Sequence, residues 1–292
     1  MLDLALAVAC SLSIGMIFKY AARRGLDRPA LLTVNYGVAL LTAAGLLAAE
    51  GRLAVGAEAW SAPLLGLGVV TGALFIGGFF VYAVATNAAG MSLAMGVMRV
   101  SVVIPFLASW AVWGEVPTAG QGAGLAVAAA AFFLIARRPA VATPEDAAHP
   151  SAGAAAVLVL LFLAGGGVDV LMKTFDEELA ARHSRSAFLL LVFGVAFAIG
   201  VVWVALRWKR GARPAPAVFG WGVVLGVVNY GSAAFILRAI EQLSGPFVFP
   251  ANNIALVLGA ALLGVYVWGE RLSRVNVAGL ALAALALVLL TL

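Results

Sequence analysis

Two apolar runs near the end of the chain contain its least expected polar residues: Val227-Val228-Asn229-Tyr230-Gly231-Ser232 and Gly245-Pro246-Phe247-Val248-Phe249-Pro250-Ala251-Asn252-Asn253-Ile254. An amide within a hydrophobic span must find its hydrogen-bond partner in protein, water or ligand, because lipid offers none. Two prolines and an Asn-Asn pair are poor choices for a plain membrane anchor. They favour a discontinuous helix that lines a polar cavity, as in membrane transporters.

The composition of the whole chain supports a membrane protein. Hydrophobic residues make up 64% of its 292 residues and charged residues only 11%, against roughly 45–50% and about 25% in an average soluble domain. A single Cys and two His residues provide no disulfide framework and no zinc site, so we expect no cofactor. The basic residues flank apolar runs and form no soluble basic face, which argues against a nucleic-acid partner. Lipid is the partner that this composition predicts.

Ten apolar runs approach the length of about 20 residues that spans a bilayer core. They lie near residues 2–20, 30–49, 62–85, 91–113, 118–136, 153–174, 186–208, 217–238, 245–268 and 273–292. The connectors between them are short, which favours a bundle of antiparallel neighbours. The sequence therefore predicts an all-α integral membrane protein with ten transmembrane helices.

The two halves of the chain resemble each other. Trp113-Gly114-Glu115 recurs as Trp268-Gly269-Glu270, and Lys19 and Lys173 each end the first helix of a half. A repeat with five crossings places its second copy upside down in the membrane, which is the inverted-repeat plan of many secondary transporters. We expect two inverted five-helix repeats, residues 1–138 and 153–292, joined by a polar linker at 139–152.

The distribution of basic residues predicts an orientation. Twelve Lys and Arg residues lie in or beside the odd-numbered connectors and five in or beside the even-numbered ones. Because basic residues accumulate on the cytoplasmic side, this asymmetry places both termini outside the cytoplasm.

These features resemble the drug/metabolite transporter superfamily, EamA-like branch. The resemblance covers the whole chain and rests on the ten spans, the five-plus-five repeat, the Gly-Glu closing the fourth and ninth helices, and Lys19. An uncharacterised bacterial subgroup is similar in more detail, in an Asn-Tyr-Gly-Ser eighth helix (Asn229 to Ser232), a Phe-Pro-x-Asn-Asn ninth helix (Phe249 to Asn253) and an Asp-x-x-x-Lys sixth helix. The resemblance implies a carrier fold without a specific substrate. Many members place their termini in the cytoplasm, which is the alternative to the charge count.

Arg99 is a charged residue about eight residues into the fourth span, roughly 12 Å deep at 1.5 Å per residue. A charge at the helix centre costs on the order of 2.5–3.5 kcal/mol on insertion scales, so we expect Arg99 to avoid lipid. The functional interpretation is a cation that binds a carboxylate or phosphate of the substrate. The structural alternative is a partnership with carbonyls freed by Pro105, whose ring removes the bond to Ser101.

Asp169 and Lys173 lie one turn apart on the sixth helix and can pair along its surface. Asp169 is the carboxylate placed clearly inside a span, which makes it the candidate group for proton or cation coupling, with Lys173 beside it. The alternative is a local ion pair that neutralises both charges near the interface.

Amide and tyrosine side chains within the spans are candidate polar contacts for a substrate: Asn35, Tyr36, Asn229, Tyr230, Asn252 and Asn253. The structural alternative is hydrogen bonding between helices, worth about 0.6–2 kcal/mol for each residue. Three prolines free carbonyls and permit bending, and we expect gating or kink positions at Pro105, Pro246 and Pro250.

The sequence thus predicts a secondary transporter for a small anionic or zwitterionic metabolite, such as an amino acid, coupled to protons or to exchange. It would lie in the cytoplasmic membrane as a monomer or homodimer. The alternatives are a multidrug exporter for lipophilic cations and, more remotely, a membrane subunit that transports nothing. Both His residues lie in connectors, so an enzyme is not expected.

Overall fold

A computed structural model describes residues 1–51, 60–89, 91–136, 152–209, 214–269 and 274–292. The described residues form eleven α-helices and contain no strand. The helices are α1 (Leu2–Arg23), α2 (Arg28–Ala49), α3 (Ala62–Ala89), α4 (Met91–Val100), α5 (Val103–Trp113), α6 (Ala119–Ala136), α7 (Ala152–Thr174), α8 (Arg185–Trp208), α9 (Ala217–Gln242), α10 (Gly245–Trp268) and α11 (Arg274–Leu289). A π-helical turn, Phe175–Leu179, extends α7.

Seven of these helices are long and apolar enough to cross a membrane, namely α1, α2, α3, α7, α8, α9 and α10. Three further apolar stretches, Val97–Trp113, Ala119–Leu134 and Arg274–Leu289, are shorter. Large apolar side chains such as Leu41, Val112 and Leu262 are exposed, as expected for surfaces that meet lipid. The prediction of an all-α fold is confirmed for the described residues, and the seven long apolar helices support a multi-pass membrane protein. Each predicted run coincides with a helix, and α4 and α5 share the fourth run.

The helix break lies where the sequence did not place it. We expected a discontinuous helix around Pro246 and Pro250, but α10 is continuous. Pro246 lies in the first turn, where a helix has no partner for the backbone N–H anyway, and Pro250 removes a single bond. The interrupted helix is the fourth run instead, which ends as α4 at Val100 and restarts as α5 at Val103.

The chain divides into two compact units, each of which draws on both halves of the sequence. Unit 1 comprises Met1–Ile76 and Thr174–Gln242. Within it, α2 packs against both α8 and α9, and α1 packs against α9. A methyl group on Gly226 of α9 would lie 2.6 Å from the Asn35 carbonyl oxygen. Glycine at this position therefore permits the close approach of α2 and α9.

Unit 2 comprises Gly77–Lys173 and Leu243–Leu292. In this unit α6 packs against α11, and α10 packs against both α5 and α11. A methyl group on Gly120 of α6 would lie 2.7 Å from the Leu289 carbonyl oxygen of α11, so a small residue is required there too.

Polar side chains and glycines mark the helix ends. Asp27 caps α2 by accepting a hydrogen bond from the Ala30 N–H at 3.0 Å, and Ser184 caps α8 through the Ala187 N–H at 3.2 Å. Gly114 and Gly269 end α5 and α10 in the left-handed conformation, with φ of 69° and 66°, which glycine adopts without strain.

Most of the predicted linker between the repeats, residues 139–151, lies outside the described residues, and so does Glu270. The repeat boundaries at 138 and 153 stay predictions.

Candidate functional site

The break between α4 and α5 is a buried turn at Ser101 and Val102. Pro105 has no N–H to give to the Ser101 carbonyl, and the Ile104 N–H donates to that carbonyl at 2.9 Å instead. The Ser101 hydroxyl donates to the Met98 carbonyl at 2.7 Å. These local bonds provide donors for the Ser101 and Met98 carbonyls at the break, where lipid would provide none.

Two glycines of α7 lie against this turn. A methyl group on Gly165 would be 2.7 Å from the Ser101 hydroxyl oxygen, and one on Gly166 would be 2.7 Å from the Ser101 carbonyl oxygen. Real Cβ atoms do not approach that closely, so α7 can reach the turn only because these positions have no side chain. Asp169 follows on the same helix, three residues after Gly166.

Arg99 lies in the last turn of α4, two residues before the break, and is partly buried. Among the described residues its guanidinium makes one hydrogen bond, from Nη1 to the Asn253 Oδ1 of α10 at 3.3 Å. Asn253 in turn donates through Nδ2 to the Phe249 carbonyl at 3.1 Å. The phenol of Tyr82 of α3 lies near the guanidinium, and so does Asp169 of α7, whose carboxylate charge favours the charged guanidinium. The carbonyl that Pro105 leaves without its usual donor is already bonded to Ile104, so it does not provide the structural partner considered for Arg99.

Asp169 and Lys173 have different partners in the structure. Asp169 is partly buried and interacts electrostatically with Arg99. The Lys173 ammonium contacts the Glu115 Oε1 at 2.8 Å. Unit 2 therefore contains two pairs of opposite charges: Glu115 and Lys173 are in direct contact, whereas Asp169 and Arg99 lie near each other without such a contact.

Glu115 has a role that its position in the sequence did not reveal. It precedes α6, but that helix is capped by Thr118 and Gln121, which exchange side-chain to main-chain hydrogen bonds at 3.0 and 3.1 Å. Glu115 Oε2 accepts the Gly245 N–H at 2.8 Å instead, at the N-terminus of α10. A carboxylate is favourable at that positive helix end.

The two adjacent asparagines of α10 behave differently. Asn253 holds Arg99, as described above, while the Asn252 Oδ1 is buried and makes no hydrogen bond with the described residues. A buried acceptor without a donor costs about 1–3 kcal/mol, so the Asn252 oxygen is available to a water or ligand donor. The sequence could not say which of the two asparagines is available.

The remaining predicted contact residues belong to unit 1. Asn35 and Tyr36 are fully buried on α2, and the Tyr36 hydroxyl donates to the Phe75 carbonyl at 3.5 Å. The rings of Tyr36 and Tyr230 both lie near Phe193, with ring centroids 6.3 and 6.1 Å from it. Asn229 is partly buried. Packing between helices accounts for the positions of Tyr36 and Tyr230, and their contact with a substrate stays a prediction.

The predicted kink prolines have different local settings. Pro105 is the third residue of α5 and buried beside the break, whereas Pro246 lies in the first turn of α10 and Pro250 lies inside that helix. Of the three, Pro105 is next to an interruption of the helix.

Unit 1 also contains polar contacts that sequence reasoning missed. The Ser186 hydroxyl donates to Glu50 Oε1 at 2.6 Å, and Arg185 contacts Glu241 Oε2 at 2.5 Å. These residues come from the ends of three helices that are distant in sequence. No periodic pattern links such residues before the helices are placed.

No family model matches the chain. An uncharacterised protein of Haemophilus influenzae is 24% identical to it over 285 residues, which are 95% of this chain and 93% of that protein. A solved structure, described as the crystal structure of a protein, has a TM-score of 0.72 and 17% sequence identity, and the match covers 99% of this chain and 94% of that one. This likeness shows that the two chains share a fold, and nothing about substrate.

Proposed function

We propose that the chain is a secondary transporter that moves a small anionic or zwitterionic metabolite, amino-acid-like in its polar groups, across the cytoplasmic membrane by alternating access. One observation carries the proposal. The Arg99 guanidinium lies partly buried within an apolar helix, at a helix break, and the hydrogen bond that it makes with described residues is a long one to a neutral amide. Charged residues inside spans are rare and mark substrate or ion pathways.

The chemistry around Arg99 fits a carboxylate. A guanidinium has five N–H donors and binds a carboxylate through two parallel hydrogen bonds, while the asparagine beside it occupies one donor. The oxygen of Asn252, the residue before Asn253 on α10, has no donor among the described residues, which suits the ammonium or hydroxyl donor of a small metabolite. This combination favours an amino-acid-like molecule over an apolar one.

The same site argues against a lipophilic cation as cargo. A cation would need a carboxylate of its own, and Asp169 already interacts with the positive charge of Arg99. An arriving cation would meet that charge and be repelled. We therefore keep the multidrug exporter, and the subunit that transports nothing, as outcomes of the test.

We further propose that the transporter is EamA-like, with ten transmembrane helices in two inverted five-helix repeats. The coincidence of all ten apolar runs with helices supports this architecture. The two recurring Trp-Gly pairs support it as well, since Gly114 and Gly269 end α5 and α10 with nearly equal φ. Bent or interrupted helices near the midplane are typical of such folds, and α4 with α5 fits that description.

A ligand screen tests the proposal. Purified protein in detergent would be heated with amino acids, short monocarboxylates and lipophilic cations, because a ligand raises the melting temperature by mass action. We expect carboxylates to stabilise the wild type. Arg99→Lys keeps the positive charge but loses the planar guanidinium that binds a carboxylate through two hydrogen bonds. It should weaken the affinity for carboxylates roughly ten- to a hundredfold, since a charged hydrogen bond is worth about 1.5–3 kcal/mol.

Arg182→Lys is the matched control, because Arg182 is exposed in unit 1, and it should bind as the wild type does. Stabilisation by lipophilic cations alone would support the multidrug exporter and overturn the proposed cargo. Unchanged affinity in Arg99→Lys with a large fall in melting temperature would show that Arg99 is a structural clamp.

A further inference from the structure

The charges of unit 2 are few and balanced. Among its described residues the charged side chains are Arg99, Glu115, Asp169, Lys173 and Arg274. Arg274 is exposed at the start of α11. The other four form the two pairs described above. Among these described residues, an anion that enters the unit finds no buried cation without a carboxylate near it. To bind, it must replace one of those carboxylates.

The two pairs differ in how firmly they are held. Glu115 is fixed by two contacts at 2.8 Å, one to the Lys173 ammonium and one to the Gly245 N–H. The Lys173 side chain is only 2% exposed. Arg99 and Asp169 are both partly exposed, and the hydrogen bond that the guanidinium makes with described residues is a 3.3 Å contact to an uncharged oxygen. The Arg99 pair is the one that an incoming anion can open.

The packing of α7 keeps Asp169 within reach of the guanidinium. Gly165 and Gly166 press against Ser101 and Ile104 at the break, and Arg99 lies two residues before that break. The groups that lie near Arg99 are Tyr82 of α3 and Asn253 of α10, and Lys173 follows Asp169 by four residues on α7. Lys173 is engaged with Glu115, so Asp169 is the carboxylate available to balance Arg99.

We propose that Asp169 is an exchangeable counter-ion of Arg99, so that a proton and the carboxylate of the substrate bind together and the carrier is a proton symporter. The inference rests on the proposed function and adds the coupling mechanism to it. In the empty site the carboxylate of Asp169 balances the guanidinium. When Asp169 takes a proton from water, its negative charge is lost, and the substrate carboxylate takes its place on Arg99. Release of the substrate reverses both steps.

Charge balance makes the coupling strict. The empty site holds one cation and one carboxylate, and the site that holds both proton and substrate carboxylate has the same net charge. A site that holds only the proton, or only the anion, carries one unbalanced charge in an apolar environment, which is costly. We therefore expect the carrier to reorient its binding site across the membrane only when the site carries no net charge. Strict coupling of this kind holds for a monocarboxylate, which would move without net charge. A zwitterion adds the positive charge of its ammonium to the loaded site, so its transport would be less strictly coupled to the proton.

Proton uptake on binding measures the exchange directly. Sodium lactate and L-alanine would be added as probes to the wild type in weakly buffered detergent solution containing a pH indicator. At a pH at which Asp169 is charged in the empty site, we expect about one proton to be taken up for each molecule bound. The affinity should rise about tenfold for each unit by which the pH is lowered while Asp169 is charged, as linkage requires for one proton.

Asp169→Asn imitates the protonated carboxyl. We expect this variant to bind both probes without proton uptake, with an affinity that does not change with pH. Glu241→Gln, which removes a carboxylate of unit 1 that is more than half exposed, is the control and should keep the proton uptake of the wild type. The wild-type measurement decides the question even if Asp169→Asn fails to fold.

The possible failures are distinct. Binding of lactate or alanine to the wild type with no proton uptake and no pH dependence would overturn the exchange while leaving the transporter proposal in place. Proton uptake retained in a folded Asp169→Asn variant would also overturn it. If neither probe, nor any carboxylate of the screen, binds the wild type at any pH, the proposed function fails and the exchange falls with it.

Discussion

Lys173 and Glu115 form an ion pair 58 residues apart in sequence, with 2.8 Å between Nζ and Oε1. The lysine side chain is 2% exposed and the glutamate side chain 23%. The second Glu115 oxygen accepts the Gly245 N–H, so one carboxylate joins the ends of α5, α7 and α10 within unit 2. A buried ion pair adds little net stability when both partners are present, but removing one partner leaves the other charge buried and costly.

We predict that Glu115→Ala destabilises the protein more than Lys173→Met. The first variant leaves the almost fully buried ammonium without this carboxylate, a change that typically costs about 3–5 kcal/mol. The second leaves a carboxylate that keeps the Gly245 N–H and some contact with water. Melting temperatures in detergent would measure the difference. Arg182→Gln, a change at an exposed position, should melt as the wild type does, and equal losses in the two pair variants would contradict the prediction.

The contact of α7 with the break supplies a second prediction. Gly166→Ala places a methyl group 2.6–2.7 Å from Ile104 and the Ser101 carbonyl, and overpacking of this kind costs about 1–3 kcal/mol. We expect a lower melting temperature and a lower transport rate, because α7 must move away from the turn that positions Arg99. Gly122→Ala in α6 meets nothing within 4 Å and should be neutral or slightly stabilising. Equal stability of the two alanine variants would contradict the prediction and show that the turn at Ser101 can shift to accommodate the methyl group at little cost.

Helix positions could be predicted from sequence because apolar length is a local property. The break could not be placed correctly, since the effect of a proline depends on which backbone bond it removes. Pro246 removes none and Pro250 removes one, so α10 continues. Pro105 is accompanied by a buried serine turn that supplies replacement bonds, and there the helix is interrupted. The number of prolines therefore predicted an interruption in the wrong helix, α10.

The partners of charged and polar residues were harder to predict, because they depend on which helices are neighbours. Asp169 and Lys173 can pair on one helix face, yet Lys173 contacts Glu115 and Asp169 interacts with Arg99. Asn35 and Tyr36 are buried because α2 packs against both α8 and α9. Nothing in the α2 sequence says that it has neighbours on two sides.

The orientation of the chain gives a third prediction. The excess of Lys and Arg in the odd-numbered connectors places the loop between Lys209 and Pro214 in the cytoplasm and both termini outside. A reporter that is active only in the cytoplasm should work when inserted in that loop and stay silent when fused after Leu292. The reverse pattern would mean that the orientation common in EamA-like transporters prevails over the charge count.

The adjacent asparagines of α10 give the last prediction, since one holds Arg99 and the other holds nothing among the described residues. Asn253→Ala removes the acceptor for the guanidinium, so we expect both a lower melting temperature and weaker binding of L-alanine and lactate. Asn252→Leu removes a buried oxygen that lacks a donor, and such a replacement is neutral or stabilising for the folded protein.

If the Asn252 oxygen accepts a hydrogen bond from the substrate, Asn252→Leu should nevertheless weaken L-alanine binding by roughly tenfold, the value of about 1.4 kcal/mol for one such bond. Melting temperature without ligand and affinity with ligand separate the two effects. A variant that melts higher and binds less would place Asn252 at the substrate, because its loss of affinity could not then be attributed to a less stable fold. A variant that loses stability and keeps its affinity would show that the oxygen serves the packing of α10, and the substrate contact would then rest on Arg99 and Asn253 alone.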